Sequence, residues 1–229
     1  MRTANVLVVC RGNVRRSPVI AAMLETGTAT TRGLGGTGVS VASAGIAAVV
    51  GSRIDPILGS RLEALGMPDA GHLAAQLRPE AVQRADVVIT ACRSHRRAVT
   101  QMAPSAVRRV FTLRELAALA SNLDLDVFDD CGESVADRLR RLVEMAPRAR
   151  SRRLERRPRM DDVADPTRMT ARAAARMLNE IQGSVEAILQ LIQPSFAVVG
   201  GQPEHAGHGQ AIGRLVPFGA TEDGLPAAG

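Results

Sequence analysis

The chain predicts an α/β fold built on a parallel, doubly wound sheet, and three observations predict it. Short β-branched runs alternate with helix-like segments along most of the sequence. Turns between them carry helix-start chemistry, as in Ser17-Pro18 and Asp55-Pro56. The 229 residues with 45% hydrophobic content are enough to bury one sizeable core.

Each element follows in order. Asn5 to Val9 reads Asn-Val-Leu-Val-Val, a run suited to a buried strand, and a helix follows over 17–27. A Gly/Thr-rich turn at 28–38 leads to a strand at 39–43, then to a helix at 56–65 after Asp55-Pro56. A short helix over 78–84 precedes an apolar strand at 85–90, and 94–102 reads as helix. The last strand is expected at 107–113. The closing helix, 170–191, is the clearest: Ala173, Met177, Ile181, Val185, Ile188, Leu189 and Ile192 recur at helical spacing. In a sheet of this kind ligands bind beyond the carboxyl ends of the strands, and Cys10 lies just past one.

That end of the first strand carries the most informative segment, Cys10-Arg11-Gly12-Asn13-Val14-Arg15-Arg16-Ser17-Pro18. Ser17 is suited to cap the following helix, with Pro18 as its first residue. Backbone N–H groups from Arg11 to Ser17 can then converge as an anion-binding nest at the positive end of a helix dipole. Amide dipoles and a guanidinium favour a thiolate, so Cys10 is the expected nucleophile. Arg16 suits a bidentate clamp on two phosphoryl oxygens. Gly12 is expected to give close backbone approach or a positive φ, and Arg11 and Arg15 to be solvated charges at the rim. A departing oxygen must be protonated and a water later deprotonated. Asp165 is the candidate, since the following Pro166 biases it toward an extended loop conformation just before the last helix. Asp161 and Asp162 stand in reserve, or act on the acid by like charge.

The segment Val9 to Pro18 resembles the signature loop of the low-molecular-weight protein tyrosine phosphatases. The resemblance continues through Ser43-Ala44-Gly45, Gly51, Leu62 to Gly66, His72, Gln76-Leu77, Ala85 to Thr90, His95, Phe111 to Glu115 and Asp165-Pro166. It implies a three-layer α/β sandwich with a central four-stranded, mainly parallel sheet. It also implies hydrolysis of phosphate monoesters through a phosphocysteine intermediate, with no metal and no cofactor. Cys10, Arg16 and Asp165 would be catalytic; Arg11, Gly12, Asn13, Val14, Arg15 and Ser17 would form the phosphate loop. Ser43, Asn13 and His72 would brace that loop, and the Ser17 hydroxyl would donate to the thiolate.

Two departures bear on substrate and redox behaviour. Relatives commonly carry an aromatic after the Asp-Pro pair, where this chain has Thr167, and it has no Tyr or Trp and four Phe in all. Aliphatic side chains or Met169 would have to supply that wall. Val14 keeps the apolar loop residue of the tyrosine-directed members, whereas phosphoarginine-directed members carry threonine there. Arg15 replaces a second cysteine common in the family, which removes a local disulfide with Cys10. An arsenate reductase of the same fold, which would need a resolving thiol near Cys92 or Cys131, is one alternative. A non-catalytic phosphoprotein-binding module is the other.

The resemblance implies a phosphatase domain over 1–193, with 121–160 as an inserted basic segment. Val135, Leu139, Leu142, Val143 and Met145 have helical spacing within it, and seven arginines crowd its end from Arg148 to Arg159. A mobile lid or a docking surface for an acidic phosphorylated tail is one expectation, a solvated helix and linker the other. Residues 194–229 read as a disordered tail. The net charge of +6 raises nucleic acid as a partner, but no recognition helix and almost no stacking aromatics accompany it. No apolar run approaches the ~20 residues that cross a bilayer, and the first residues lack a signal segment. Three cysteines give no even disulfide framework, so a reducing cytoplasm is expected. The expected partner is a phosphorylated protein, such as a bacterial tyrosine kinase or its targets.

Overall fold

A computed structural model describes residues 3–29, 38–67, 71–123, 134–151, 158–166 and 168–193. The element order is β1 (Ala4–Cys10), α1 (Arg16–Ala29), β2 (Val39–Gly45), α2 (Pro56–Ala64), α3 (Pro79–Arg84), β3 (Val87–Thr90) and α4 (Arg93–Met102). Then come a 3₁₀ helix (Pro104–Arg109), β4 (Val110–Thr112), α5 (Leu113–Ala120), α6 (Val135–Ser151), a short 3₁₀ turn (Pro158–Asp161) and α7 (Ala171–Ile192).

The four strands run in the order β2-β1-β3-β4, and every pairing is parallel. Period-two alternation explains the three layers. Val6, Val8 and Cys10 of β1 enter one core with Ile20, Leu58, Phe111, Leu142 and Ile181, whereas Leu7 and Val9 enter another with Val82, Val88, Val99 and Val110. Both faces of β1 are thus covered, which is why the strand is a continuous apolar run. The register sets Cys10 beside Gly45 and Val9 beside Thr90, so three strands end their pairing at one edge.

Several boundaries differ from expectation. The fourth strand is three residues long, because Pro104 starts a 3₁₀ helix that takes 104–109. Ala85 and Asp86 fall outside β3, and Asp86 instead accepts the Asn5 N–H at 2.8 Å. Helix α5 has no counterpart in the sequence reading. Its start is a capping box, in which the Thr112 hydroxyl receives the Glu115 N–H and the Glu115 carboxylate receives the Thr112 N–H.

The inserted segment is described over 121–123, 134–151 and 158–160, and the arginine run on which the lid or docking expectation rests is described only at its ends. Helix α6 buries Val135, Ala136, Leu139, Leu142 and Ala146 in the main core, so it is a wall of the fold. Arg150 at its end is structural too: its guanidinium lies 4.7 Å from the Phe111 ring centroid, and its Nε donates to Glu115 at 2.7 Å. Most of the arginine run, at 152–157, and the tail expected over 194–229 lie outside the described residues, as does Cys131. Among the described residues no helix is long and apolar enough to cross a membrane.

Candidate active site

The turn between β1 and α1 is shaped by Asn13, which takes the left-handed conformation with φ of 57°. Asparagine tolerates that region better than most residues, and its side chain here offsets the cost. Its Nδ2 donates to Ser17 Oγ and Ser43 Oγ, both at 2.9 Å, and its Oδ1 accepts the Ala75 N–H at 2.8 Å. The Asn13 carbonyl lies 2.8 Å from His72 Nε2. Asn13, Ser43 and His72 therefore come together as the bracing set expected. The φ of Gly12 is not positive, and a Cβ added there would meet Val14 and Val49 at an ordinary 3.6 Å. The glycine that permits close approach is Gly45. A Cβ there would stand 2.5 Å from the Arg11 carbonyl oxygen.

This frame fixes Cys10, which is 2% exposed. Its Sγ accepts the Ser17 hydroxyl at 2.9 Å and the Asn13 N–H at 3.3 Å. Ser17 is not the helix cap, because α1 begins one residue earlier at Arg16. Its hydroxyl is free for the sulfur because the helix start does not use it. Two donors aimed at one sulfur stabilise a thiolate.

Arg16 is 6% exposed and donates from Nη2 to Asp165 Oδ2 at 2.6 Å and from Nη1 to the Val163 carbonyl at 3.3 Å. Nucleophile, clamp and candidate acid thus converge from β1, α1 and the loop before α7. Arg15 departs from the solvated role expected of it. Its Nε donates to Asp55 at 3.1 Å and its Nη1 to the Pro166 carbonyl at 3.3 Å. The Asp55-Pro56 pair is thereby explained, since Asp55 also caps α2 by accepting the Ile57 N–H. Arg11 is exposed, and Val14 is partly buried with its carbonyl accepting the Asp55 N–H at 2.8 Å.

Asp162 is not a reserve acid. Arg93 donates its backbone N–H and its guanidinium to that carboxylate at 2.8–3.3 Å. Burial pushes the Asp162 carboxyl up, but these bonds outweigh it and hold it below the usual carboxylate range. His95 is buried, with Nδ1 3.2 Å from Cys92 Sγ. Burial first, and then the Arg16 charge, push its pKa down to about 4, so the ring is neutral near pH 7. Met169 is partly buried and packs against the main core, and Thr167 lies outside the described residues. Arg93 had no signal in the sequence, because its partner lies 69 positions away.

Comparison with known proteins agrees with this geometry. The family model described as low molecular weight phosphotyrosine protein phosphatase matches residues 5–160. The chain is 35% identical over 111 residues to a probable low molecular weight protein-tyrosine-phosphatase, EpsP, of Ralstonia solanacearum, covering 48% of this chain and 71% of the relative. It is 32% identical over 127 residues to a protein-arginine-phosphatase of Geobacillus stearothermophilus, covering 56% and 78%. Among solved structures, Vibrio vulnificus Wzb in complex with benzylphosphonate superposes with a TM-score of 0.57 at 20% identity, over 82% of this chain and 98% of that one. The YwlE arginine phosphatase from Geobacillus stearothermophilus gives 0.56 at 23% identity, over 83% and 93%.

Proposed function

This chain belongs to the low molecular weight phosphotyrosine protein phosphatase family, and on that premise we propose that it hydrolyses protein phosphotyrosine through a phosphocysteine intermediate. One observation carries the reading: Cys10 Sγ receives the Ser17 hydroxyl and the Asn13 N–H beside an Arg16–Asp165 ion pair.

The chemistry follows in two steps. Cys10 Sγ forms a bond to phosphorus while the ester P–O bond breaks. Arg16 exchanges the Asp165 carboxylate for two phosphoryl oxygens, and the amides of the turn face the developing charge. Asp165, released and protonated, gives its proton to the departing oxygen. It then takes a proton from the water that attacks phosphorus. As the S–P bond breaks, the Ser17 hydroxyl donates to the leaving thiolate.

Support for a tyrosine substrate is the apolar setting of the loop. Val14 lines it, and Val49, 54% exposed, is tied to it by an N–H donated to the Gly12 carbonyl at 3.0 Å. These aliphatic groups take the place of the missing aromatic wall beside the substrate ring. The proposed partner is a phosphorylated protein, a bacterial tyrosine kinase or its targets, and the need of a catalytic thiol for a reducing compartment supports a cytoplasmic location. Turnover of phosphotyrosine, phosphoserine and phosphoarginine peptides and of arsenate tests the reading. Phosphotyrosine is expected to be fastest. Faster phosphoarginine turnover would reassign the substrate, and arsenate reduction without ester hydrolysis would overturn the reaction.

A further inference from the structure

Asp165 faces a physical conflict. Its carboxylate is held by Arg16, yet Arg16 must release it in order to hold a phosphoryl group. With a side chain 45% exposed, Asp165 then needs other constraints to stay over the phosphate loop. Two ties bracket it on the backbone. Upstream, the Val163 N–H donates to the Ala91 carbonyl at 2.8 Å, beyond the end of β3. Downstream, Arg15 Nη1 donates at 3.3 Å to the carbonyl of Pro166, the residue that directly follows the acid.

The downstream tie is itself oriented. Arg15 Nε is fixed on Asp55 Oδ2 at 3.1 Å, and the two side chains are 32% and 14% exposed, so solvent weakens the pair only in part. Asp55 is fixed in turn as the cap of α2 and by its N–H on the Val14 carbonyl at 2.8 Å. Arg15 belongs to the turn that carries Cys10, so the tie holds the proton donor in register with the nucleophile's own backbone. Resting on the phosphatase reading above, we infer that Arg15, oriented by Asp55, is a positioning residue that fixes the Asp165-Pro166 peptide for proton transfer to the leaving group. Arg15 touches neither phosphate nor the leaving atom in this role.

A positioning role of this kind has a kinetic signature that general loss of structure lacks. Proton donation matters most when the leaving group is poor. Arg15→Ala should lower kcat/KM, which reports the step that breaks the ester bond, about tenfold on phenyl phosphate and less than about twofold on 2,4-dinitrophenyl phosphate. Arg15→Lys, which keeps a single donor and the charge, should recover part of the loss. Asp55→Asn keeps the α2 cap and should show the same leaving-group pattern at smaller size. In an Asp165→Asn background, Arg15→Ala should cost nothing further, because both changes act through one proton. An equal loss on both esters, or a full additional loss in the Asp165→Asn background, overturns the inference and leaves the phosphatase reading standing. Failure of the unaltered protein to hydrolyse either ester overturns that reading, and this inference with it. If Arg15→Ala does not fold, Arg15→Lys and Asp55→Asn decide the matter by the same ratio of rates.

Discussion

Two loops meet at this site and are built in opposite ways. In the phosphate loop the bonds that shape the nucleophile span three, four and seven positions within the turn, and Asn13 adds braces to Ser43, His72 and Ala75 across 30, 59 and 62. In the acid loop the bonds span 69, 72, 147, 149 and 151 positions, and three of these five have arginine side-chain donors. The first loop must present a thiolate in fixed surroundings and is a closed, buried network. In the proposed mechanism the second gives up its bond to Arg16 in each cycle, and that bond is to a side chain. The phosphate loop combines bonds within the turn with long-range braces on Asn13, whereas the acid loop is held by long-range bonds.

The largest effect is expected at the centre of the rigid loop. Cys10→Ser should lower kcat by about 10⁴-fold or more while inorganic phosphate still binds, measured by turnover and by calorimetric titration. A non-catalytic binding module would lose little. Asn13→Ala comes next, since it leaves two hydroxyls and the Ala75 N–H without their partner and puts alanine at φ of 57°. We expect about 4 kcal/mol lost in urea unfolding, with kcat falling in parallel. An equal fall for Arg93→Ala would erase the contrast between the loops.

His95 probes the space between the two. Its folded pKa of about 4 lies below its unfolded value, so as pH falls the unfolded chain takes up the proton first. Stability from this group is whole above about pH 6.5 and is lost between there and pH 4, about 3 kcal/mol in all. Urea unfolding across that window should flatten in His95→Asn. The smallest effect belongs to Arg93→Ala, which frees Asp162 from a pair 42% and 31% exposed. A small loss of stability in urea unfolding and a fewfold drop in kcat on phenyl phosphate are expected.

The same division decides what was legible in the sequence. Cys10, Arg16, Asn13 and Ser17 are near neighbours in the chain, so strand, turn and helix signals placed them together. The closing helix was legible because its apolar period is regular over 22 residues. Asp55 announced itself as a cap before proline, but its bond to Arg15 depends on where α2 docks. Helix α6 looked like a charged insertion because arginines dominate its composition. Its identity as core rests on Leu139, Leu142 and Ala146, and on Arg138, which is 4% exposed with Nη1 on the Gln193 carbonyl at 2.6 Å. Ser17 was misplaced by one residue for a physical reason: a serine before proline suits a cap, but the sulfur competes for the same hydroxyl.

The hydrogen bond from the Ala75 N–H to Asn13 joins residues 62 positions apart, and β1 acquires its second neighbour only at 87–90. During synthesis residues 10–17 leave the ribosome well before the segment that completes them. Sheet order imposes a delay of the same kind, because the crossovers between parallel strands are long-range closures that form slowly. A nascent chain ending before residue 75 therefore carries the thiol without its reactive surroundings. The candidate nucleophile gains its full surroundings only after the chain around it has folded.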